Sequence, residues 1–170
     1  MRAWKIFLPA FTALLLAGCA GYHLGPVNGV VAGEKTVEVL PLSNQTRQPR
    51  LGDAVTQALR ERLQVDGTYH LATGEPGDWV LTGVIRQYNH EGLGYLNRDS
   101  ATLENYRVGV TEHIVIRDRV TGKLVLEREV KGHTLVNVGP DFTDSERQAM
   151  PLLAADLAQN IVELLTEGGW

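Results

Sequence analysis

Residues 105–134 read NYRVGVTEHIVIRDRVTGKLVLEREVKGHT, and they carry the clearest structural pattern in the chain. In the first half, apolar side chains occupy alternate positions, which is the period of a strand with one buried face. The side chains on that face are Tyr106, Val108, Val110, Ile114 and Ile116, and those on the other face are Arg107, Thr111, His113 and Arg117. The central DRVTGK favours a hairpin turn, because Gly122 is free to take a positive φ. The stretch therefore predicts two antiparallel strands, 105–118 and 124–134.

The residues before this hairpin predict a helix between strands. Apolar residues recur at three- and four-residue steps from Leu51, which predicts a helix to Val65 that stops at Asp66-Gly67. Residues 36–42 predict a strand ending near Pro41, and residues 79–88 predict a longer strand. A short strand is also expected at 69–72. Because residues 90–103 are polar and contain glycine, they predict an irregular segment.

The C-terminal residues predict a second helix. Thr143 to Glu146 has the form of a capping box, and Pro151 is disfavoured deep inside a helix. We therefore expect a short turn first and a main helix over 151–167. The order of elements predicts an α+β domain, with a single, mostly antiparallel sheet and two helices packed on one face. The other face of the sheet is left to a partner, a ligand or water.

The N-terminus predicts export and lipid attachment. A basic start with Arg2 and Lys5 precedes an apolar run that is too short to span a bilayer, which is typical of a secretory signal. The run ends in Leu16-Ala17-Gly18-Cys19, the cleavage pattern of bacterial lipoproteins. We expect a signal peptide over 1–18, a lipidated tether over 19–33 and one domain over 34–170. Cys19 is the expected lipid attachment site, and Ala20 in place of Asp favours the outer membrane.

Composition and motifs argue against several classes of function. The net charge of −4 includes Arg2 and Lys5 of the signal, so the mature chain is more acidic still, and nucleic-acid binding is not expected. The five histidines do not pair at metal-ligand spacing, and Cys19 is the only cysteine. No hydrolase, zinc-protease or phosphate-loop motif is present. We therefore expect no metal, no cofactor and no enzymatic activity.

Several short motifs, in order along the mature chain, resemble one family. Cys19-Ala20-Gly21-Tyr22-His23-Leu24 is similar to the C-G-Y-H-L opening of the LPS-assembly lipoprotein (LptE) family, and Asn44-Gln45-Thr46 is similar to its N-x-T loop. The similarity continues through Val37-Glu38-Val39, Thr56-Gln57-Ala58-Leu59, Leu81-Thr82-Gly83-Val84-Ile85, Tyr106-Arg107-Val108 and Asp118 to Lys123.

The resemblance implies a function that the residues alone do not. Members of the family sit inside the LptD β-barrel of the outer membrane, support its assembly and help place lipopolysaccharide in the outer leaflet. The implied partners are therefore an LptD-type barrel, lipopolysaccharide and, through the lipid anchor, the membrane. An outer-membrane lipoprotein that activates a peptidoglycan synthase or pilots a secretion channel is the alternative. Because the tether reaches at most about 50 Å, a partner in or beside the membrane is favoured.

Lipopolysaccharide carries phosphates, so a binding site should offer arginine or lysine. Arg98 is the first candidate, because it lies in the segment predicted to be irregular, beside the apolar residues Tyr95 and Leu96. Arg47 and Arg50, which precede the first helix, are further candidates for lipopolysaccharide binding. Arg119 and Lys123 are explained more simply by the solubility of the hairpin turn.

Overall fold

The computed structural model describes residues 33–96, 99–137 and 142–167. Its elements are β1 (Thr36–Val39), β2 (Ser43–Asn44), α1 (Leu51–Asp66), β3 (His70–Leu71), β4 (Trp79–Leu96), β5 (Asp99–Asp118), β6 (Leu124–Asn137) and α2 (Phe142–Glu167). The predicted signal peptide, Cys19 and the tether up to residue 32 lie outside the described residues. None of the helices in the described ranges is both long enough and apolar enough to cross a bilayer.

The strands form one mixed sheet in the order β3-β1-β4-β5-β6, with β2 paired to β4 beside this path. β1 runs parallel to both β3 and β4, and β2 also runs parallel to β4. Within the described ranges, the antiparallel pairs are β4 with β5 and β5 with β6. The α+β class is confirmed, but the prediction of a mostly antiparallel sheet was wrong. The reason is that α1 carries the chain back across the sheet, so that β3 and β4 start at the same end as β1.

Helix α1 lies where its apolar period predicts it. Its buried stripe includes Leu51, Val55, Leu59 and Leu63. Gly67 ends the helix at φ 72°, and its N–H donates to the Leu63 carbonyl at 3.2 Å. A residue with a Cβ is disfavoured in this left-handed conformation, so glycine gives the helix a defined end.

The prediction of an irregular segment over 90–103 was wrong, because both strands continue through it. β4 runs to Leu96 and β5 starts at Asp99, and these two residues pair with each other. Within the described ranges, the edge strand β6 accompanies β5 as far as Asn105, which pairs with Asn137. Residues 93–96 and 99–104 therefore form a two-stranded extension, which we call the arm. Register shifts near Gly92 and Gly94 accommodate these glycines as bulges rather than as chain breaks.

A bulge earlier in β4, near Arg86, changes which side chains face the helices. The register shifts between Ile85 and Gln87, so that Ile85 pairs with Glu112 and Gln87 with Thr111. Before the bulge Leu81 and Ile85 face the core, whereas after it Tyr88 and His90 occupy that face. This single extra residue brings Tyr88 under the start of α2.

Helix α2 is continuous from Phe142 to Glu167 and contains Pro151. The expectation of a separate turn before Pro151 was therefore wrong. A proline inside a helix removes one backbone hydrogen bond, yet tertiary packing holds both sides of Pro151 in one helix. Buried side chains lie on both sides of it, from Ala149 to Leu153 and Leu157.

The two helices pack against each other over one face of the sheet and form a single core. At Gly132 of β6 the backbone of α2 comes so close that a Cβ would lie 2.8 Å from Leu157 Cα. Beside this contact, Asn160 Nδ2 donates to the Lys131 carbonyl and Asp156 Oδ2 accepts from the His133 N–H. These side chains satisfy backbone groups on the open edge of β6, which protects the edge from pairing with other strands.

Candidate functional site

The loop between β2 and α1 is built by Asn44 and Thr46. Asn44 Oδ1 accepts hydrogen bonds from the backbone N–H and the hydroxyl of Thr46, at 2.9 and 2.7 Å. Asn44 Nδ2 donates to the Gln48 carbonyl at 2.7 Å, and the Thr46 hydroxyl accepts from the Gln48 N–H. This local network orders residues 44–48, and the Gln45 N–H, which donates to the Ile85 carbonyl at 2.9 Å, attaches the loop to β4. It explains why asparagine and threonine occur at this spacing.

The same loop exposes two of the predicted site residues, Arg47 and Arg50. Neither guanidinium makes a hydrogen bond or ion pair with the described part of the chain. Arg50 has φ 62°, the only positive φ of a non-glycine residue in the described ranges, and it directly precedes α1. Two exposed guanidinium groups beside the positive end of a helix dipole provide a suitable place for an anionic group.

Arg98 lies outside the described residues, as do the side chains of Leu93, Tyr95 and Leu96. The described ends of the arm, Leu96 and Asp99, flank Arg98 in the sequence. The loop of Arg47 and Arg50 adjoins Ile85, because Asn44 pairs with that residue. At about 3.3 Å per residue, Ile85 and Leu96 are up to roughly 36 Å apart along β4. The structure thus places Arg47 and Arg50 on one exposed loop but does not join the described end of the arm to them.

A polar cluster lies where the arm leaves the core, and sequence reasoning did not find it. Glu146 Oε1 accepts a hydrogen bond from Tyr88 Oη at 2.5 Å and lies 2.8 Å from His90 Nε2. Burial and the bond to Glu146 raise the pKa of the Tyr88 hydroxyl well above its ordinary value. Burial, followed by the charge of Glu146, also raises the pKa of Tyr106. Glu146, which the capping box assigned to the helix start, thus connects α2 to β4.

Arg119 has a structural role rather than the solvated one that its turn position suggested. Its Nε donates to the Gly77 carbonyl at 2.9 Å, and its guanidinium forms an ion pair with Glu38. Arg60 donates to the Val39 carbonyl nearby, at 2.8 Å. Both arginines line a groove of about 490 Å³ at the end of β1, on the side away from the arm. Because both are already engaged, they fasten the β5–β6 turn and α1 to β1.

Glu112 is a second residue that sequence reasoning missed. It lies on the apolar face of β5, between Val110 and Ile114, and it is fully buried. Burial raises the pKa of its carboxyl to about 7. The signal was present in the sequence, because position 112 shares the alternation of the buried positions 106 to 116.

The described residues contain no group of three histidine, cysteine, aspartate or glutamate side chains that could hold a metal ion. Three histidines lie near a carboxylate, but at separate places. They are His90 with Glu146, His113 with Glu127 and His133 with Asp156.

Comparison with known families identifies the class of protein. The family described as lipopolysaccharide-assembly (LptE) matches residues 34–165, which is nearly all of the folded domain. The chain therefore belongs to the LptE family of lipopolysaccharide-assembly proteins. The match covers the whole sheet, α1 and all but the last two residues of α2, and it confirms the resemblance seen in the motifs.

Solved structures share the fold at low identity. A protein from Xanthomonas campestris is 11% identical with a TM-score of 0.62, and the match covers 86% of this chain and 92% of that one. A hypothetical protein from Chlamydia trachomatis is also 11% identical, with a TM-score of 0.55, and the match covers 77% of this chain and 95% of that one. A candidate lipoprotein from Caulobacter crescentus is 13% identical with a TM-score of 0.52, and the match covers 74% of this chain and 88% of that one. No curated protein matches the chain significantly.

Proposed function

We propose that this chain is an outer-membrane lipoprotein of the lipopolysaccharide transport machinery. It plugs an LptD-type β-barrel, supports the assembly of that barrel and helps to insert lipopolysaccharide into the outer leaflet. Membership of the LptE family over residues 34–165 carries this proposal. The role is one of binding and scaffolding, and it requires no catalytic group.

The proposed anchoring follows from the lipobox and the position of the domain's start. The signal over 1–18 is removed, and the chain is lipidated on Cys19 and tethered through residue 33. Two or three acyl chains hold such a protein firmly, at about 0.8 kcal/mol per buried methylene. Gly33 lies beside β3, where its N–H donates to the Thr68 carbonyl, and Thr36 and Trp79 are close to this end of the sheet.

The proposed lipopolysaccharide contacts lie away from that end. The arm is at the far end of β4, up to roughly 60 Å from Trp79 along the strand at about 3.3 Å per residue. Arg98 lies in the sequence between Leu96 and Asp99, the described ends of the arm, and Arg47 and Arg50 belong to the loop part of the way along. Guanidinium groups bind phosphate through charge-assisted hydrogen bonds, so we assign the phosphates of lipopolysaccharide to these three residues.

Affinity purification of the lipidated chain from outer membranes tests the role. The tagged chain is extracted in mild detergent, and the proteins that remain bound are identified by mass spectrometry. We expect an LptD-type barrel in a fixed ratio to the chain. An unrelated outer-membrane lipoprotein with the same tag is the control. Recovery of a peptidoglycan synthase or a secretion channel, without a barrel, would replace the proposal with the alternative.

A further inference from the structure

Glu112 is a carboxyl group enclosed in the core without a polar partner. Its residue is 0% exposed, and neither carboxyl oxygen has a hydrogen-bond partner among the described residues. Nearly all buried polar groups in proteins are hydrogen-bonded, so an unpaired buried carboxyl calls for a physical explanation.

Gly83 provides the space for the carboxyl. A Cβ at Gly83 would lie 2.0 Å from Glu112 Oε1 and 2.8 Å from Leu42 Cδ2. The carboxyl and the Leu42 side chain therefore lie over the same bare stretch of β4. The cross-strand neighbours of Glu112 are Ile85 and Val130, both buried and apolar.

Among the residues that the structure describes, no charged side chain balances Glu112 from the elements around it. β4 contributes Gly83 and Ile85, β6 contributes Val130, and Leu42 precedes β2. From α1 the nearby polar group is the Thr56 hydroxyl, which donates to the Gly52 carbonyl. On α2, the Glu146 carboxylate accepts a hydrogen bond from Tyr88, and the Asp156 carboxylate accepts one from the His133 N–H. Leu157 of α2 packs against β6 at Gly132. Arg128, farther along β6, is exposed.

An ionised carboxylate at this place requires water or new donors, since isolated charge in an apolar core is strongly disfavoured. Of the residues that enclose the Glu112 carboxyl, Leu42 belongs to the segment that is held least firmly. Gly83, Ile85 and Val130 belong to strands of fourteen or more residues, whereas Leu42 precedes the two-residue strand β2. The Leu42 N–H is held by one hydrogen bond to Thr56 Oγ1, at 3.0 Å. After Leu42 the segment is held to β4, within the described ranges, only through Ser43, Asn44 and the Gln45 N–H, which donates to the Ile85 carbonyl. Short segments with few such bonds are the first to open.

We propose that Glu112 is a proton-controlled switch of the core, whose ionisation displaces Leu42 from Gly83 and loosens the loop 44–50 that follows. The proton passes to solvent, water reaches the carboxylate, and the Leu42–Thr56 hydrogen bond is lost. The order of the loop that carries Arg47 and Arg50 then depends on pH. The observations behind this switch are independent of the partner that the protein binds.

The direction of the pH effect follows from the burial. Burial raises the pKa of Glu112 from 4.5 to about 7, whereas in the opened segment the carboxyl regains an ordinary value. The stability of the closed form relative to the opened segment is therefore greatest below pH 4.5 and falls as pH rises towards 7. Above pH 7 this difference in stability changes little. These limits predict that the opening constant increases roughly fortyfold between pH 5 and pH 7.

Amide hydrogen exchange of the full mature chain in detergent micelles measures this opening. After correction for the intrinsic exchange rate, peptides covering 42–45 should show the increase and then a plateau above pH 7.5. Peptides covering the turn 118–123 should show no such increase in corrected exchange with pH. Glu112→Gln retains every histidine and removes only the ionisation, so its exchange at 42–45 should be independent of pH.

Two outcomes overturn the switch. One is an equal pH-dependent increase in Glu112→Gln, and the other is exchange at 42–45 in the wild type that does not change with pH. If Glu112→Gln does not fold, the carboxyl carbon of Glu112 is followed in wild-type chain labelled with 13C-glutamate and assigned through Glu112→Leu. A midpoint near 7 supports the switch, and a midpoint near 4.5 refutes it.

Discussion

At the scale of single residues, Arg50 combines charge with an unfavourable backbone. A left-handed conformation costs a residue with a Cβ about 1–2 kcal/mol, and glycine in its place would avoid that cost. Such outliers cluster at functional sites, where the surrounding structure holds them in place. Here the Asn44–Thr46 network and the start of α1 fix the residues on either side. The strained arginine therefore supports the proposed role of the loop in binding an anion.

Arg98 is the residue whose charge reversal should affect lipopolysaccharide binding most directly. A charge-assisted contact with phosphate contributes about 1.5–3 kcal/mol, so Arg98→Asp should weaken binding at least roughly tenfold. The loss should shrink as salt increases, because exposed charges are screened. The melting temperature should not change if Arg98 lies at the surface, as its polar sequence neighbourhood predicts, since a substitution there shifts stability by no more than about 0.5 kcal/mol. Binding to immobilised lipopolysaccharide at low and high salt measures the effect.

Lys123→Asp is the matched control for Arg98→Asp. It makes the same change of charge on the turn beyond the far end of β5, where Lys123 is exposed. Arg119 is unsuitable as a control, because its ion pair with Glu38 holds the turn in place. If Lys123→Asp weakens binding as much as Arg98→Asp, overall charge rather than the arm governs the encounter. If Arg47→Asp alone weakens binding, the site lies at the loop.

At the scale of elements, α2 tolerates a proline that sequence rules would exclude. Pro151 is exposed and lacks the N–H that would donate to the Arg147 carbonyl. The helix continues because its inner face packs through Leu153, Leu157 and Ile161, which are at most 1% exposed. Burying side chains of this size contributes about 1.5–3 kcal/mol each, which exceeds the loss of one hydrogen bond.

Pro151→Ala should therefore stabilise the domain. Alanine is favoured over proline inside a helix by about 3 kcal/mol, and the greater freedom of the unfolded chain offsets about 1 kcal/mol of this. We expect the free energy of unfolding to rise by about 1–2 kcal/mol, measured by urea denaturation. Leu152→Ala, at the next exposed position, is the control and should change it by less than about 0.5 kcal/mol. A decrease for Pro151→Ala would mean that the proline ring contributes packing of its own.

At the scale of the whole molecule, the described ends of the chain lie at one edge of the sheet. Gly33 contacts β3, and near the end of α2 the Leu165 carbonyl accepts a hydrogen bond from Tyr69 Oη. The arm leaves from the other end of β4. A tether attached beside β3 would thus hold one end of the domain near the membrane and leave the arm free to reach along a partner.

Replacing Cys19 with serine tests the proposed anchor. A hydroxyl does not take the thioether-linked lipid, so Cys19→Ser should accumulate as an uncleaved precursor without labelled palmitate. Ala20→Ser retains the thiol and is the control for processing. Normal cleavage and labelling of Cys19→Ser would eliminate the proposed anchor.

Local patterns in the sequence were sufficient for much of the fold. The period of α1 and the glycine that ends it, the alternation of β5 and the DRVTGK turn each depend on residues within a few positions of one another. These features were predicted correctly, as was the α+β class. The loop with Arg47 and Arg50 was also recognised, from its polar residues and from the resemblance of Asn44-Gln45-Thr46 to the N-x-T loop of the family.

Contacts between distant residues decided the remaining features. The parallel pairing of β1 with β3 and β4, the continuation of the strands into the arm and the unbroken α2 all depend on surfaces that meet only in the folded chain. The same is true of the site. Glu146 reaches Tyr88 because of a bulge in β4, and Glu112 is enclosed because Gly83 lacks a side chain on the neighbouring strand. Periodicity along the chain identifies which residues share a face, but the pairing of strands and the packing of helices determine what that face contacts.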